Sequence, residues 1–234
     1  MTVVRFPSKK DPKPEVDGAW PIMTGLLVLT IGAVFVWQRE LGSFEEARAI
    51  YSFGLLPAHL FGIRQPAPQI DVVTPLLTLV TAQFLHGGWT HLMGNVLVLL
   101  LLGPLLERRI GSIRFLLIFL ATGVAGLGLE AASSPSSAIP IIGASASIAG
   151  VIGGLARVDP GARIVLPSPR RGQWLRVIRV PALPIIVVWL IIQVYGIAFA
   201  NSDEAKTIAF LAHGVGFVSG VVLAGWAKRG RART

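Results

Sequence analysis

The sequence predicts an all-α polytopic membrane protein, a bundle of six transmembrane helices, and three observations carry that prediction. Hydrophobic residues are 53% of the 234-residue chain and charged residues only 14%, whereas a soluble domain carries about 25% charged residues. Mean hydropathy is +0.69. The 21 lysines and arginines fall in blocks between long uncharged runs. Each run approaches the ~20 apolar residues that a helix rising about 1.5 Å per residue needs to cross a hydrocarbon core. This composition excludes a soluble enzyme, a disordered tail and a DNA-binding domain. The formal charge of +9 forms no basic stripe with interleaved aromatics, so nucleic acid is not an expected partner. The absence of cysteine excludes disulfides, thiolate metal sites and cysteine nucleophiles.

The spans read as Trp20–Gln38, His91–Leu106, Phe115–Ala132, Ile142–Ala156, Pro181–Ala200 and Thr207–Ala227. They make one membrane domain over residues 20–227, between an N-terminal tail (1–19) and a basic C-terminal tail (228–234). All but four of the Lys and Arg residues lie on one side; Arg39, Arg48, Arg64 and Lys206 lie on the other. The positive-inside rule places both termini in the cytoplasm, with the excess charge facing the headgroups of the lipid bilayer. Tail 1–19 mixes basic residues with Asp11, Glu15 and Asp17 and does not read as a cleaved signal. Its shortness favours a prokaryotic plasma membrane over an organelle. Phe44–Phe61 has helical apolar spacing and is expected to lie at the membrane surface. Part of Val72–His86 is expected to be half-inserted and sheltered by protein. The outer connection Asn201–Lys206 is short, and the Arg- and Pro-rich connection Arg157–Val180 reads as a solvated loop.

Polar groups inside apolar spans are functional candidates by default. Here they are His91, Asn95, Glu130, Ser145, Ser147, Gln193 and His213. Counted back from inner ends at Glu107, Arg157 and Lys228, four of them share a layer. His91, Asn95, Ser145 and His213 all lie ~18–24 Å above the inner boundary at about 1.5 Å per residue. Ser145, Ala149, Gly153 and Ala156 form a stripe of small residues, as do His213, Gly216, Gly220 and Ala224. Such stripes let helix backbones approach closely. If the two stripes meet, a serine hydroxyl faces an imidazole.

That pairing suits nucleophilic acyl transfer. Serine is a weak nucleophile until a base takes its proton, and histidine does so near neutral pH. The oxyanion then needs preorganised donors, which the Ser145 N–H, the Asn95 amide and the His91 imidazole can supply. No carboxylate in the spans is placed to orient His213, so a Ser–His dyad is expected rather than a triad. Plainer readings stand beside this one. Small stripes serve ordinary helix packing, a membrane serine commonly bonds its own backbone, and a lone histidine can be structural. His86 and His91 lack the His-Glu-x-x-His pattern of a zinc site, so no metal is expected. Glu130, near the outer end of its span, reads as an interfacial charge, and His59 as loop surface.

Four motifs in order resemble the rhomboid intramembrane serine proteases: His86-x4-His91-x3-Asn95, Glu107-x-Arg109-x-Gly111, Gly143-Ala144-Ser145, and Ala212-His213-x2-Gly216-x3-Gly220. The resemblance covers nearly the whole chain. It implies a six-helix rhomboid-like bundle that hydrolyses peptide bonds of transmembrane substrates, with no cofactor. Ser145 would be the nucleophile and His213 the base, and His91, Asn95 and the Ser145 amide the oxyanion hole. His86, Gly143, Gly216 and Gly220 would support the site. Glu107 and Arg109 would belong to a structural inner-loop element, and the fifth helix with Asn201–Lys206 would form a lateral gate and cap.

Three features depart from the pattern. Ala146 replaces the glycine usual after the nucleophile, which would tighten the oxyanion pocket. Ala149 replaces an aromatic that often stacks on the histidine, leaving His213 to be supported from elsewhere. No Trp-Arg pair is evident in Val72–Leu85. The alternative is a catalytically silent rhomboid-like protein that binds membrane clients; such proteins lack the serine or the histidine, and both are present here. A transporter would show inverted repeats or broken helices, and none is evident.

Overall fold

The computed structural model describes residues 21–65, 70, 72–167, 177–199 and 203–231. The expected tail 1–19, together with Trp20 and Asn201, lies outside the described residues, as does the side chain of Gln193.

The described chain is mostly helical: α1 (Ile22–Glu40), α2 (Gly42–Phe53), α3 (Pro57–Leu60), α4 (Pro75–Thr81), α5 (Trp89–Ile110), α6 (Ser112–Ser133), α7 (Ser145–Val158), α8 (Ala182–Phe199) and α9 (Asp203–Arg231). Among the described residues α1, α5 and α6 are long and apolar enough to cross a membrane, and shorter apolar helices pack with them. Leu29, Leu97, Leu117, Ile191 and Val218 face outward although large and apolar, as expected where the solvent is hydrocarbon.

The short helix α7 is the centre. At about 1.5 Å per residue its 14 residues reach only ~21 Å, less than a hydrocarbon core. It needs no more, because protein rather than lipid surrounds it: Ala146 to Leu155 are all buried. One core cluster joins Leu99, Leu102 and Leu106 of α5, Phe115 and Phe119 of α6, and Ile148 and Ile152 of α7. A smaller one joins Leu55, Ala82, Leu127 and Ala131, under the segment between α1 and α5.

The expected surface helix Phe44–Phe61 is broken into α2 and α3. Gly54 is extended and seated against the Ile50 carbonyl, and Pro57 opens α3, where its missing N–H has no helical partner to lose. Between them Leu55 exchanges backbone hydrogen bonds with Ile141. The expected loop Arg157–Val180 is also corrected. It contains an antiparallel pair, β1 (Arg163–Pro167) with β2 (Val177–Pro181), in register from Arg163↔Pro181 to Pro167↔Val177. The β-branched residues Ile164, Val165, Val177, Ile178 and Val180 suit a strand, and Ile164 is buried in the main core. The connection expected at Asn201–Lys206 is shorter than that, because α9 already begins at Asp203.

Candidate functional site

A cavity of about 530 Å³ opens at the N-terminal end of α7, and Ser145, His213, His91 and Asn95 all line it. The four polar groups assigned to one layer by counting along three helices are thus brought to one space. Its remaining walls are mostly apolar, including Val98, Leu127, Ile142, Ile148 and Trp189.

Ser145 is the first residue of α7. Helical bonding starts with Ile148 N–H to Ala144 C=O, so the amides of Ser145 and Ala146 have no acceptor within the helix. Backbone donors and the positive end of the helix dipole therefore point to where the serine would react. The approach is held by pairing outside the helix: Gly143 N–H donates to Ala82 C=O at 2.8 Å, two residues beyond the Leu55–Ile141 exchange. Gly143 has φ +123°, and a Cβ there would come within 2.7 Å of the His91 ring. The imidazole of His91 occupies space that only glycine leaves open.

Asn95 is buried in α5, and its Nδ2 meets His86 Nε2 at 2.9 Å. The amide donates, so His86 accepts through Nε2 and carries its proton on Nδ1, which faces the Phe84 carbonyl at 3.3 Å. Burial, then the neighbouring His91, lowers the His86 pKa to about 4, against the Phe84 hydrogen bond that raises it. His86 is held in turn by a residue that the sequence marks only as the end of the first span. Gln38 of α1 accepts the His86 N–H at 3.1 Å and donates to its C=O at 3.2 Å. An amide NH2 has two donors, so one hydrogen of Asn95 remains for the cavity.

His213 sits on α9 with its ring 5.8 Å from the Trp189 ring of α8 and 6.2 Å from that of Phe210. The helix carrying it lies directly on α7. A Cβ at Gly216 would overlap the Ala146 carbonyl, and one at Gly220 the Gly150 carbonyl. The two small-residue stripes do face each other.

A family model described as "Rhomboid domain" matches residues 74–229. The chain belongs to the rhomboid family. Over 136 residues it is 37% identical to Rhomboid protease GluP of Bacillus subtilis (strain 168), covering 58% of this chain and 24% of that protein. It is 39% identical over 77 residues to RHOMBOID-like protein 4 of Arabidopsis thaliana, 33% of this chain and 19% of the relative. It is 37% identical over 75 residues to Putative rhomboid protease YdcA of Bacillus subtilis (strain 168), 32% and 37% of the two. The chain thus spans well under half the length of each of these relatives. Membership and apolar helices together make it an integral membrane protein of a protease family.

In this rhomboid the Glu107 and Arg109 element lies at the far end of α5 from the cavity. Glu107 is buried and accepts from the Met23 and Thr24 amides, the Thr24 hydroxyl and the Ser112 hydroxyl. It closes the N-terminus of α1 onto the α5–α6 junction. Arg109 pairs with Asp159 at 2.8 Å, an exposed bridge worth at most ~1 kcal/mol. Ser147 turns away from the cavity and donates to Gln83 Oε1 at 2.8 Å, while Gln83 Nε2 donates to the Leu79 and Leu120 carbonyls. The aromatic missing at Ala149 has a counterpart in Trp189, contributed by a different helix. Glu130 is not an interfacial charge: it is 1% exposed, between α6 and α9.

Proposed function

We propose that this rhomboid is a serine endopeptidase that hydrolyses peptide bonds of transmembrane substrates through a Ser145–His213 dyad. The observation that carries the reading is the single cavity lined by Ser145, His213, His91 and Asn95. His213 takes the proton of Ser145 Oγ as the hydroxyl attacks the scissile carbonyl carbon. The oxyanion is received by the Ser145 N–H, the free Asn95 hydrogen and the His91 ring. Collapse expels the amine, which leaves with the proton from His213, and forms an acyl ester on Ser145. Water, deprotonated by His213, hydrolyses that ester and regenerates the serine. His86 holds Asn95 in place, Gly143 admits His91, and Gly216 and Gly220 let α9 lie close to α7. Glu107 and Arg109 support the bundle away from the chemistry. Apolar cavity walls suit a substrate that arrives from lipid.

The test is covalent labelling by a fluorophosphonate in detergent, followed by cleavage of a transmembrane substrate in liposomes. An adduct on Ser145 that is lost in Ser145→Ala and in His213→Ala is the expected result. Folded wild-type protein that takes up no reagent and cleaves nothing would favour a silent rhomboid that binds membrane clients instead.

A further inference from the structure

One buried ionisable side chain beside the dyad has no part in that chemistry. Glu130 lies on α6 with its Oε2 3.1 Å from the backbone N of Ala212, whose N–H donates to it. Its Oε1 is buried with no hydrogen-bond partner among the described residues. One turn earlier on α6, Gly126 is so close that a Cβ would come within 2.6 Å of the Ala212 carbonyl oxygen. Helix α6 therefore accepts the Ala212 N–H through Glu130 and packs closely against the Ala212 carbonyl at Gly126, and the next residue is His213.

A carboxyl group buried in a membrane bundle is costly unless it is paired. Among the described residues no cation forms a salt bridge with Glu130. Nor does a helix in general require such an acceptor, since a helical N–H is ordinarily served by the carbonyl four residues earlier. What the contact does supply is a fixed relation between two helices at the height of the imidazole. Trp189 and Phe210 bound the ring of His213, whereas the Glu130 contact is made to the α9 backbone one residue before it.

We infer that Glu130 is a positioning residue, which fixes the α9 backbone at Ala212 and thereby the reach of His213 toward Ser145. The inference rests on His213 being the base. What matters is an acceptor oxygen at Ala212, not the negative charge, so glutamine should replace Glu130 and apolar residues should not.

The full chain in detergent provides two readouts: the rate of fluorophosphonate labelling at Ser145, and the α6–α9 distance distribution between nitroxides. The spin labels go on Leu129→Cys and Val218→Cys, both exposed, in a chain with no native cysteine. Glu130→Ala is expected to slow labelling about 10–100-fold, the cost of a sub-ångström to ångström misplacement, and to broaden the distance distribution. Glu130→Gln is expected to restore both. Glu130→Leu, which fills the space without a buried, half-unpartnered carboxyl, is expected to melt no lower than wild type and yet to label as slowly as Glu130→Ala. That separates positioning from folding. Wild-type labelling in the Ala or Leu variant, or a Gln variant as slow as Ala, overturns the inference. If wild type itself takes no label, the dyad reading fails, and the distance measurement still decides the contact. A distribution unchanged in Glu130→Ala overturns it, and one broadened in Ala and restored in Gln upholds it.

Discussion

The ring of His213 lies 5.8 Å from the ring of Trp189, their planes inclined at 53°. The two residues come from different helices, α9 and α8, and both line the cavity that holds Ser145. The aromatic support of this histidine thus comes from Trp189 of α8 and Phe210 of its own helix, and none is built into the helix of the serine.

Trp189→Ala should therefore slow Ser145 labelling about 3–10-fold, the range expected for losing an aromatic contact worth ~0.5–1.5 kcal/mol. Trp189→Phe should recover most of the rate. Labelling kinetics at saturating and limiting reagent check this; an Ala variant as fast as wild type would show that His213 needs no such wall.

Gly143→Ala should be far more damaging. The methyl would meet the His91 ring at 2.7 Å, at a φ of +123° that L-residues rarely adopt. Either His91 leaves the cavity or the turn before Ser145 moves. A labelling loss of about 100-fold or more is expected, since oxyanion donors are worth that much. The double variant Gly143→Ala/His91→Ala should not be worse than Gly143→Ala alone, because both changes act through one ring.

The sequence revealed these groups where chemistry and periodicity coincided. His91, Asn95, Ser145 and His213 were legible because each polar group interrupts an apolar span at one depth. Gly216 and Gly220 were legible because small residues recur on one helical face. What was not legible depends on partners distant in the chain. Gln38 and Gln83 look like any amide near a span end or in a connector, until the fold brings backbone carbonyls and amides to them. Glu130 was misread because depth along its own helix says nothing about α9 covering it. The β1–β2 pair was hidden because Arg and Pro in the connection obscured its β-branched runs.

Two glycines on α9 should respond in opposite ways to alanine. At Gly220 a Cβ would overlap the Gly150 carbonyl, so Gly220→Ala must push α9 off α7, at ~1–3 kcal/mol for overpacking. At Gly214 nothing lies within 4 Å of an added Cβ, so Gly214→Ala should be neutral or stabilise the helix by up to ~1 kcal/mol. Thermal unfolding in detergent checks both. Equal midpoints for the two variants would mean that the α7–α9 approach does not limit stability.

The hydrogen bond from Asn95 to His86 makes the site sensitive to acid. His86 accepts at Nε2, which it can do only while neutral. Its pKa in the fold is about 4, against ~6.5 for an exposed imidazole. Between these values the unfolded chain binds a proton that the folded one does not, so stability rises with pH across the window. The contribution is complete above about pH 6.5 and is lost progressively as pH falls toward 4, at about 1.4 kcal/mol per pH unit, up to ~3 kcal/mol. Protonation would also turn the acceptor into a donor facing the Asn95 amide and free that amide to swing. His86→Gln keeps an acceptor but cannot titrate. Its thermal midpoint should therefore fall less steeply between pH 7 and 5 than that of wild type, and the labelling rates of the two should diverge over the same interval. Parallel pH profiles would show that folding does not lower the His86 pKa, and that acid acts on the site elsewhere.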